Sequence, residues 1–229
     1  AVAGHKYNMT KGIDYDDVFA AAPNQNTVRL LSAMTVQMGL HRKSWDIKLA
    51  YCWAELPSEQ MVALKYPKGY ERYRDLSHGR KEPEYIILRR NCYGLPAAGK
   101  HWADHRDKHM MKRWNQQDDQ GNTLYTCKKC VYDPAMFYIT KGPKLRADEK
   151  CTMHLRPYEA EAWVSIHTDD CDAYSTSKQM LEDLYKDHNT TWKAKVTSSE
   201  FMLGIKRKRN TLLDAKNNIV DDEIHITMI

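Results

Sequence analysis

Apolar positions along this chain fall into short blocks with two different periods. Between Asn26 and Gly39, apolar and small residues recur at Val28, Leu31, Met34, Thr35 and Met38. That spacing predicts a helix with one buried stripe, and Gly39 is a suitable C-terminal stop. A second helix is predicted from about Ala97 to Trp114, with Ala98, Trp102, His105, His109 and Met110 near one face. A third follows Thr176-Ser177-Lys178-Gln179, which has the form of a capping box, and turns Met180, Leu181, Leu184 and Tyr185 inward. Strand-like runs cover Trp45 to Tyr51, Gln60 into the Pro67-to-Tyr70 loop, Tyr85 to Arg90, Asp133 to Thr140 and Thr191 to Val196. Phe201 to Ile205 is a further strand, with Ile219 to Thr227 as its hairpin partner across Asn217-Asn218. Ala162 to Ile166 and Cys171 to Tyr174 flank a tight turn. The polar stretches Tyr70 to Pro83, Asn115 to Lys129 and Lys144 to Tyr158 read as surface or inserted loops.

Composition narrows the class. With 229 residues, 42% hydrophobic and 28% charged, the chain suits one large folded domain or two small ones. No apolar stretch approaches the roughly 18 residues that a membrane span needs, and the N-terminus lacks a signal peptide's basic start and apolar centre. Six scattered Cys without a secretory signal predict reduced thiols in an intracellular setting, cytoplasm or nucleus. A net charge of +5 permits a polyanionic partner without demonstrating one.

The candidate chemistry centres on Ile166-His167-Thr168-Asp169-Asp170. Strand, Asp-Asp turn and strand make a hairpin with two acids at its tip. Carboxylate oxygens there suit hard divalent cations. Most Asp-Asp turns only close hairpins or cap helices. A third acid, Asp46, lies in the aromatic and apolar strand around Trp45. Three carboxylates from two strands fit the two-Mg²⁺ arrangement of phosphoryl-transfer polymerases. A competing pattern is Cys127, Cys130, Cys151 and His154, spaced as a tetrahedral Zn²⁺ site but also compatible with chance in polar insertions.

Taken in order, several segments resemble the reverse transcriptase domain of copia-type LTR retrotransposons. The segments are Gly12-Ile13-Asp14-Tyr15 with Phe19-Ala20, Trp45-Asp46-Ile47-Lys48-Leu49-Ala50-Tyr51, and Tyr66-Pro67-Lys68-Gly69-Tyr70. They continue with Tyr93-Gly94-Leu95 and Trp102, Asp133-Pro134-Ala135-Met136-Phe137, His167-Thr168-Asp169-Asp170, and Phe201-Met202-Leu203-Gly204-Ile205.

The resemblance implies an α+β fold of right-hand polymerase type, with an antiparallel palm sheet backed by helices. Fingers would take about 1–40 and 57–90, palm about 41–56 and 91–229, with thumb and RNase H absent. It implies an RNA-directed DNA polymerase, transferring nucleotides from dNTP to a primer 3′-hydroxyl on an RNA or DNA template. Asp46, Asp169 and Asp170 would be catalytic and hold two Mg²⁺. Tyr51 would gate the sugar, Gly94 would let the backbone approach the nucleotide, and His167 would pack beside the primer end. Met202, Leu203, Gly204, Lys206 and Arg207 would meet nucleic acid, and Lys193 or Lys195 the pyrophosphate, although an exposed strand Lys is the plainer account. His167 replaces the family's Tyr, Ala97 a polar residue, Asp172 an apolar one on the face of Asp170, and Lys206 a Glu. The family's triphosphate-binding Lys and Arg would precede Ala1. The alternatives are a catalytically weak or inactive nucleic-acid-binding remnant, or a zinc-stapled interaction module.

Overall fold

A computed structural model of the chain describes residues 9–60, 62–66, 85–142, 160–198, 201–202, 205–213 and 219–228. In order these form α1 (Gln25–Gln37), β1 (His41–Ile47), β2 (Val62–Lys65), β3 (Tyr85–Leu88), α2 (Ala98–Arg113) and β4 (Gln116–Gln117). They continue with β5 (Thr123–Lys129), β6 (Met136–Lys141), β7 (Ala160–His167), β8 (Asp170–Ser175), α3 (Lys178–Trp192) and β9 (Ala194–Val196). Last come β10 (Phe201–Met202), β11 (Ile205–Leu213) and β12 (Ile219–Met228). The fold is mixed α and β, with antiparallel sheets and three helices among the described residues.

The chain divides into two compact units, Ala1–Phe19 with Tyr51–Trp102, and Ala20–Ala50 with Ala103–Ile229. In the first, β2 and β3 form a hairpin from Val62↔Leu88 to Lys65↔Tyr85. The buried Asn91 ties its neighbourhood together. Its amide N–H donates to the Ala54 carbonyl (2.9 Å), and its side-chain nitrogen reaches the Ala54 and Glu55 carbonyls (3.2 and 3.1 Å).

The second unit is built on a seven-stranded antiparallel sheet, in the order β4-β5-β6-β7-β8-β1-β9. Both faces are covered, so β6 and β8 are buried almost continuously. On one face, Leu31, Leu40, Cys130, Met136, Tyr138, Trp163 and Tyr174 pack together, with Met34 of α1 and its C-cap Met38 against them. On the other, the Trp45 indole N–H donates to His188 Nδ1 (3.0 Å), and the Trp45 ring meets Tyr185 edge-on. The helix α1 thus belongs to this sheet unit.

Local chemistry explains the helix ends. Asn24 caps α1 by accepting from the Asn26 amide (2.8 Å). At the other end, the Leu40 amide donates to the Thr35 carbonyl (2.9 Å) and the Gly39 amide to the Val36 carbonyl (3.3 Å). Gly39 sits at φ +63°. This is the Schellman closure that glycine makes cheap. Ser177 caps α3 by accepting from the Met180 amide (3.3 Å), so the cap lies one residue later than Thr176.

Four sequence expectations are corrected. Asn115 to Lys129 is largely sheet, as β4 and β5; Thr126 and Cys127 are buried there, but their polar neighbours mask the strand. The strand predicted at Trp45–Tyr51 begins at His41 and stops at Ile47, after which Leu49 turns to φ +54° and Ala50–Trp53 winds into a 3-10 turn. Trp192, expected in a strand, ends α3 fully buried. The partner of β12 is β11, paired from Ile205↔Met228 to Leu213↔Ile219, rather than the Phe201–Ile205 segment. The predicted loops at Tyr70–Pro83 and Lys144–Tyr158 lie outside the described residues.

Candidate active site

Strand register builds the site. Asp46, next to last on β1, is the direct cross-strand partner of Asp170, first on β8. Asp170 also pairs with His167 at the end of β7, and Asp46 pairs with Lys195 on β9. Because side chains alternate along a strand, partners in register share a face. His167, Asp170, Asp46 and Lys195 therefore form one row across four neighbouring strands. Asp169 occupies the two-residue turn between β7 and β8, and its carbonyl accepts from the Ile47 amide (2.8 Å). The turn is thereby stitched to the end of β1. Thr168 beside it holds φ +53°, a strained conformation for a β-branched residue. Such strain is stored most often at functional tips.

The electrostatics follow from this crowding. The Asp46 carboxyl is pushed above its ordinary value, first by partial desolvation and then by the Asp169 charge, against the opposing pull of Lys48 and Lys195. Asp170 is pushed up by partial desolvation, then by Asp169 and Asp46, with His167 opposing. Hard oxygen donors that repel one another fit a divalent cation of the Mg²⁺ kind, whose charge would relieve the repulsion. Among the described residues, however, no group of three or more His, Cys, Asp or Glu is closed into a metal-holding cluster.

One step behind the row lies a buried polar network. Asp172, on β8, is 1% exposed. Its Oδ1 accepts from the Ser44 hydroxyl (2.6 Å), and Arg42 Nε stands 3.7 Å away. Its Oδ2 accepts from the Tyr174 hydroxyl (2.5 Å) and from Arg207 Nη1 (2.6 Å). Arg207 therefore does not present its charge to solvent as a phosphate contact; its side chain is fully buried. Burial costs the guanidinium, yet Asp172 and Tyr174 hold its pKa above the usual value. Lys206 and Lys208 are exposed on β11, and Arg209 is bonded to Asp222 and to the Leu40 carbonyl. The side chain of Met202, and all of Leu203 and Gly204, lie outside the described residues.

The other expected site residues fall as follows. In the first unit, the Tyr51 ring packs on Tyr93 (4.6 Å between centroids), and Gly94 beside it takes φ +101°, open to glycine and strained for other residues. Cys127 and Cys130 are both buried, but strand alternation sends them to opposite sides of the sheet. Cys127 is in register with Ile139, while Cys130 packs with Met136 and Tyr138. Burial pushes the Cys127 thiol up to about 12, the reverse of what a thiolate ligand needs. Cys151 and His154 lie outside the described residues.

Sequence reasoning missed Ser44 and the tie between Asp172 and Arg207. The signal was present in the alternation of Ser44 with Asp46 and of Ile205 with Arg207, and in an acid on an otherwise apolar strand. It also missed Arg106, 1% exposed on α2, which donates to the Ile166 carbonyl (3.3 Å) just before the Asp-Asp turn.

An antiparallel sheet that carries acids on two adjacent strands, with helices packed against it, is compatible with a polymerase-like fragment. A family model described as "Reverse transcriptase (RNA-dependent DNA polymerase)" matches residues 2–133. The chain belongs to this reverse transcriptase family, in its copia-type branch. The match includes Asp46 and ends before Asp169 and Asp170, whose place beside Asp46 comes from strand register. No curated protein and no solved structure matches the chain. Among the described residues, no helix is long and apolar enough to cross a membrane.

Proposed function

We propose that this chain performs template-directed nucleotide addition, joining the α-phosphate of a dNTP to a primer 3′-hydroxyl and releasing pyrophosphate. The supporting observation is the register that sets Asp46 opposite Asp170, with Asp169 stitched to the end of β1. Asp46 and Asp169 would carry two divalent cations, with Asp170 as the third, weaker ligand. Bound there, the cations would lower the primer hydroxyl's pKa and neutralise charge on the phosphate and the leaving pyrophosphate.

The protein's own share is positional. Asp46 and Asp170 sit on paired strands, so their separation is set by the sheet and not by loop motion. Lys195, next in the row, offsets part of the charge on Asp46 and would meet phosphate oxygens of the leaving pyrophosphate. His167 would lie beside the primer end, and Tyr51 under the sugar as the gate against a 2′-hydroxyl. Gly94 would allow close approach of the nucleotide. The exposed Lys206 and Lys208 would contact the duplex backbone.

A fluorescent template-primer with dNTP and Mg²⁺ tests this. Extension by the wild-type chain and none by Asp169→Asn supports the reading. A chain that binds template-primer with a steep salt dependence, but never extends it, is instead a nucleic-acid-binding remnant. That second reading is favoured by the absence, among the described residues, of a closed three-ligand cluster.

A further inference from the structure

We propose that the buried Asp172–Arg207 pair is a positioning device that holds the two acid-bearing strands at their working separation and ties them to the β11–β12 hairpin. The inference rests on the metal-site reading above. It starts from placement. Asp172 lies two residues from Asp170 on the same face of β8, and its cross-strand partner Ser44 lies two residues from Asp46 on β1. The rung that follows the acids is therefore Ser44–Asp172, closed by a 2.6 Å hydrogen bond between side chains.

The pair fits a positioning role better than a stabilising one. A buried ion pair is weak as a source of stability, because desolvation of both charges offsets most of the attraction. What it supplies is geometry. The Asp172 carboxylate accepts from β1 (Ser44), from β8 (Tyr174) and from β11 (Arg207) at once, between 2.5 and 2.6 Å. Arg207 Nη1 also lies 2.6 Å from the Tyr174 hydroxyl, so cation, phenol and carboxylate lock as a triangle. Arg42 closes the fourth side at 3.7 Å from Oδ1. Three strands thus converge on one carboxylate directly behind Asp46 and Asp170. Neither Asp172 nor Arg207 reaches solvent, so the pair contacts no substrate and acts only through the acids in front of it.

The test uses the whole chain and Mn²⁺ as the probe ion, with binding followed by electron paramagnetic resonance. The double variant Asp172→Leu/Arg207→Met replaces the pair by apolar groups and is expected to stay folded, with a melting temperature near wild type. Its Mn²⁺ affinity is expected to fall about tenfold, the usual scale for losing a support behind metal ligands. In the extension assay kcat should fall while the KM for dNTP holds. Asp172→Asn keeps the side chain's shape but loses its charge and one acceptor and leaves Arg207 unpaired. It is expected to be less stable than the double variant and, under conditions where it is folded, to lose Mn²⁺ affinity in the same direction. A folded double variant with wild-type Mn²⁺ affinity overturns the positioning role and leaves the metal site intact. A wild-type chain that binds no Mn²⁺ overturns the metal-site reading itself, and this inference with it.

Discussion

Asp46 on β1 and Asp170 on β8 face each other as direct cross-strand partners, although 124 positions of sequence separate them (170 − 46). Like charges placed this way destabilise a sheet unless something neutralises them. In the absence of a cation, Asp170→Asn is therefore expected to raise stability by a few tenths of a kcal/mol, kept small because Asp170 is exposed. The same variant should lose most of its primer extension. Thermal melts of the cation-free proteins check the sign. A lower melting temperature for the Asn variant would show that the pair is already compensated within the fold.

The raised carboxyl pKa values of Asp46 and Asp170 set a pH dependence. Each holds its proton more tightly in the folded chain than in the unfolded one. Between the ordinary value of 3.8 and the raised folded value, the native state binds more protons, so these two groups lower stability as pH rises through that window. Above it their penalty is constant. Urea midpoints measured from about pH 4 to about pH 6 should fall more, or rise less, for wild type than for Asp46→Asn/Asp170→Asn. Divalent-cation affinity should weaken towards the acid end, where protons compete for the same oxygens.

His188 contributes with the opposite sign. It is fully buried, accepts from the Trp45 indole at Nδ1, and has Nε2 beside Met110 Sδ at 3.2 Å. Desolvation lowers its pKa to about 3, from an ordinary value of 6.5, with the Asp187 charge opposing and His109 and Arg106 adding to the drop. The unfolded chain binds the proton first, so stability contributed by neutral His188 is present above pH 6.5 and is lost as pH falls towards 3. His188→Gln, which keeps an acceptor for Trp45, should flatten this acid loss. Denaturant midpoints across that range, wild type against variant, decide the matter. Parallel curves would mean that His188 is not the group responsible.

The fold was legible where periodicity was local. Val28, Leu31 and Thr35 mark the buried stripe of α1, and Gly39 ends it, because both signals lie within a few residues. The Asp169–Asp170 hairpin was legible for the same reason. Register was not: nothing in the letters says that Asp46 meets Asp170 rather than Asp172, since that depends on pairing over more than a hundred residues. The β4–β5 ribbon was hidden by polar residues on an edge of the sheet, where only Thr126 and Cys127 are deeply buried. Lys206 and Arg207 were both expected to meet nucleic acid, yet strand alternation puts them on opposite faces, Lys206 exposed and Arg207 buried. An acid at position 172 of a buried strand already required a cation, and Arg207 is that cation.

That split gives the clearest separation between a nucleic-acid contact and a structural charge. Lys206 and Lys208 are exposed on the same face of β11, opposite Thr227 and His225. If they meet phosphates, Lys206→Ala and Lys208→Ala should each reduce the salt slope of template-primer binding by about 1, with little change in melting temperature. Arg207→Met should behave in reverse. It leaves the Asp172 carboxylate buried with only Arg42, at 3.7 Å, to balance it, and is expected to cost about 3 kcal/mol of stability. Its salt slope should match wild type under conditions where the variant is folded. Binding titrations at several salt concentrations, paired with urea unfolding of the same proteins, measure both quantities. A reduced slope for Arg207→Met with unchanged stability would place that guanidinium on the nucleic acid and not within the fold.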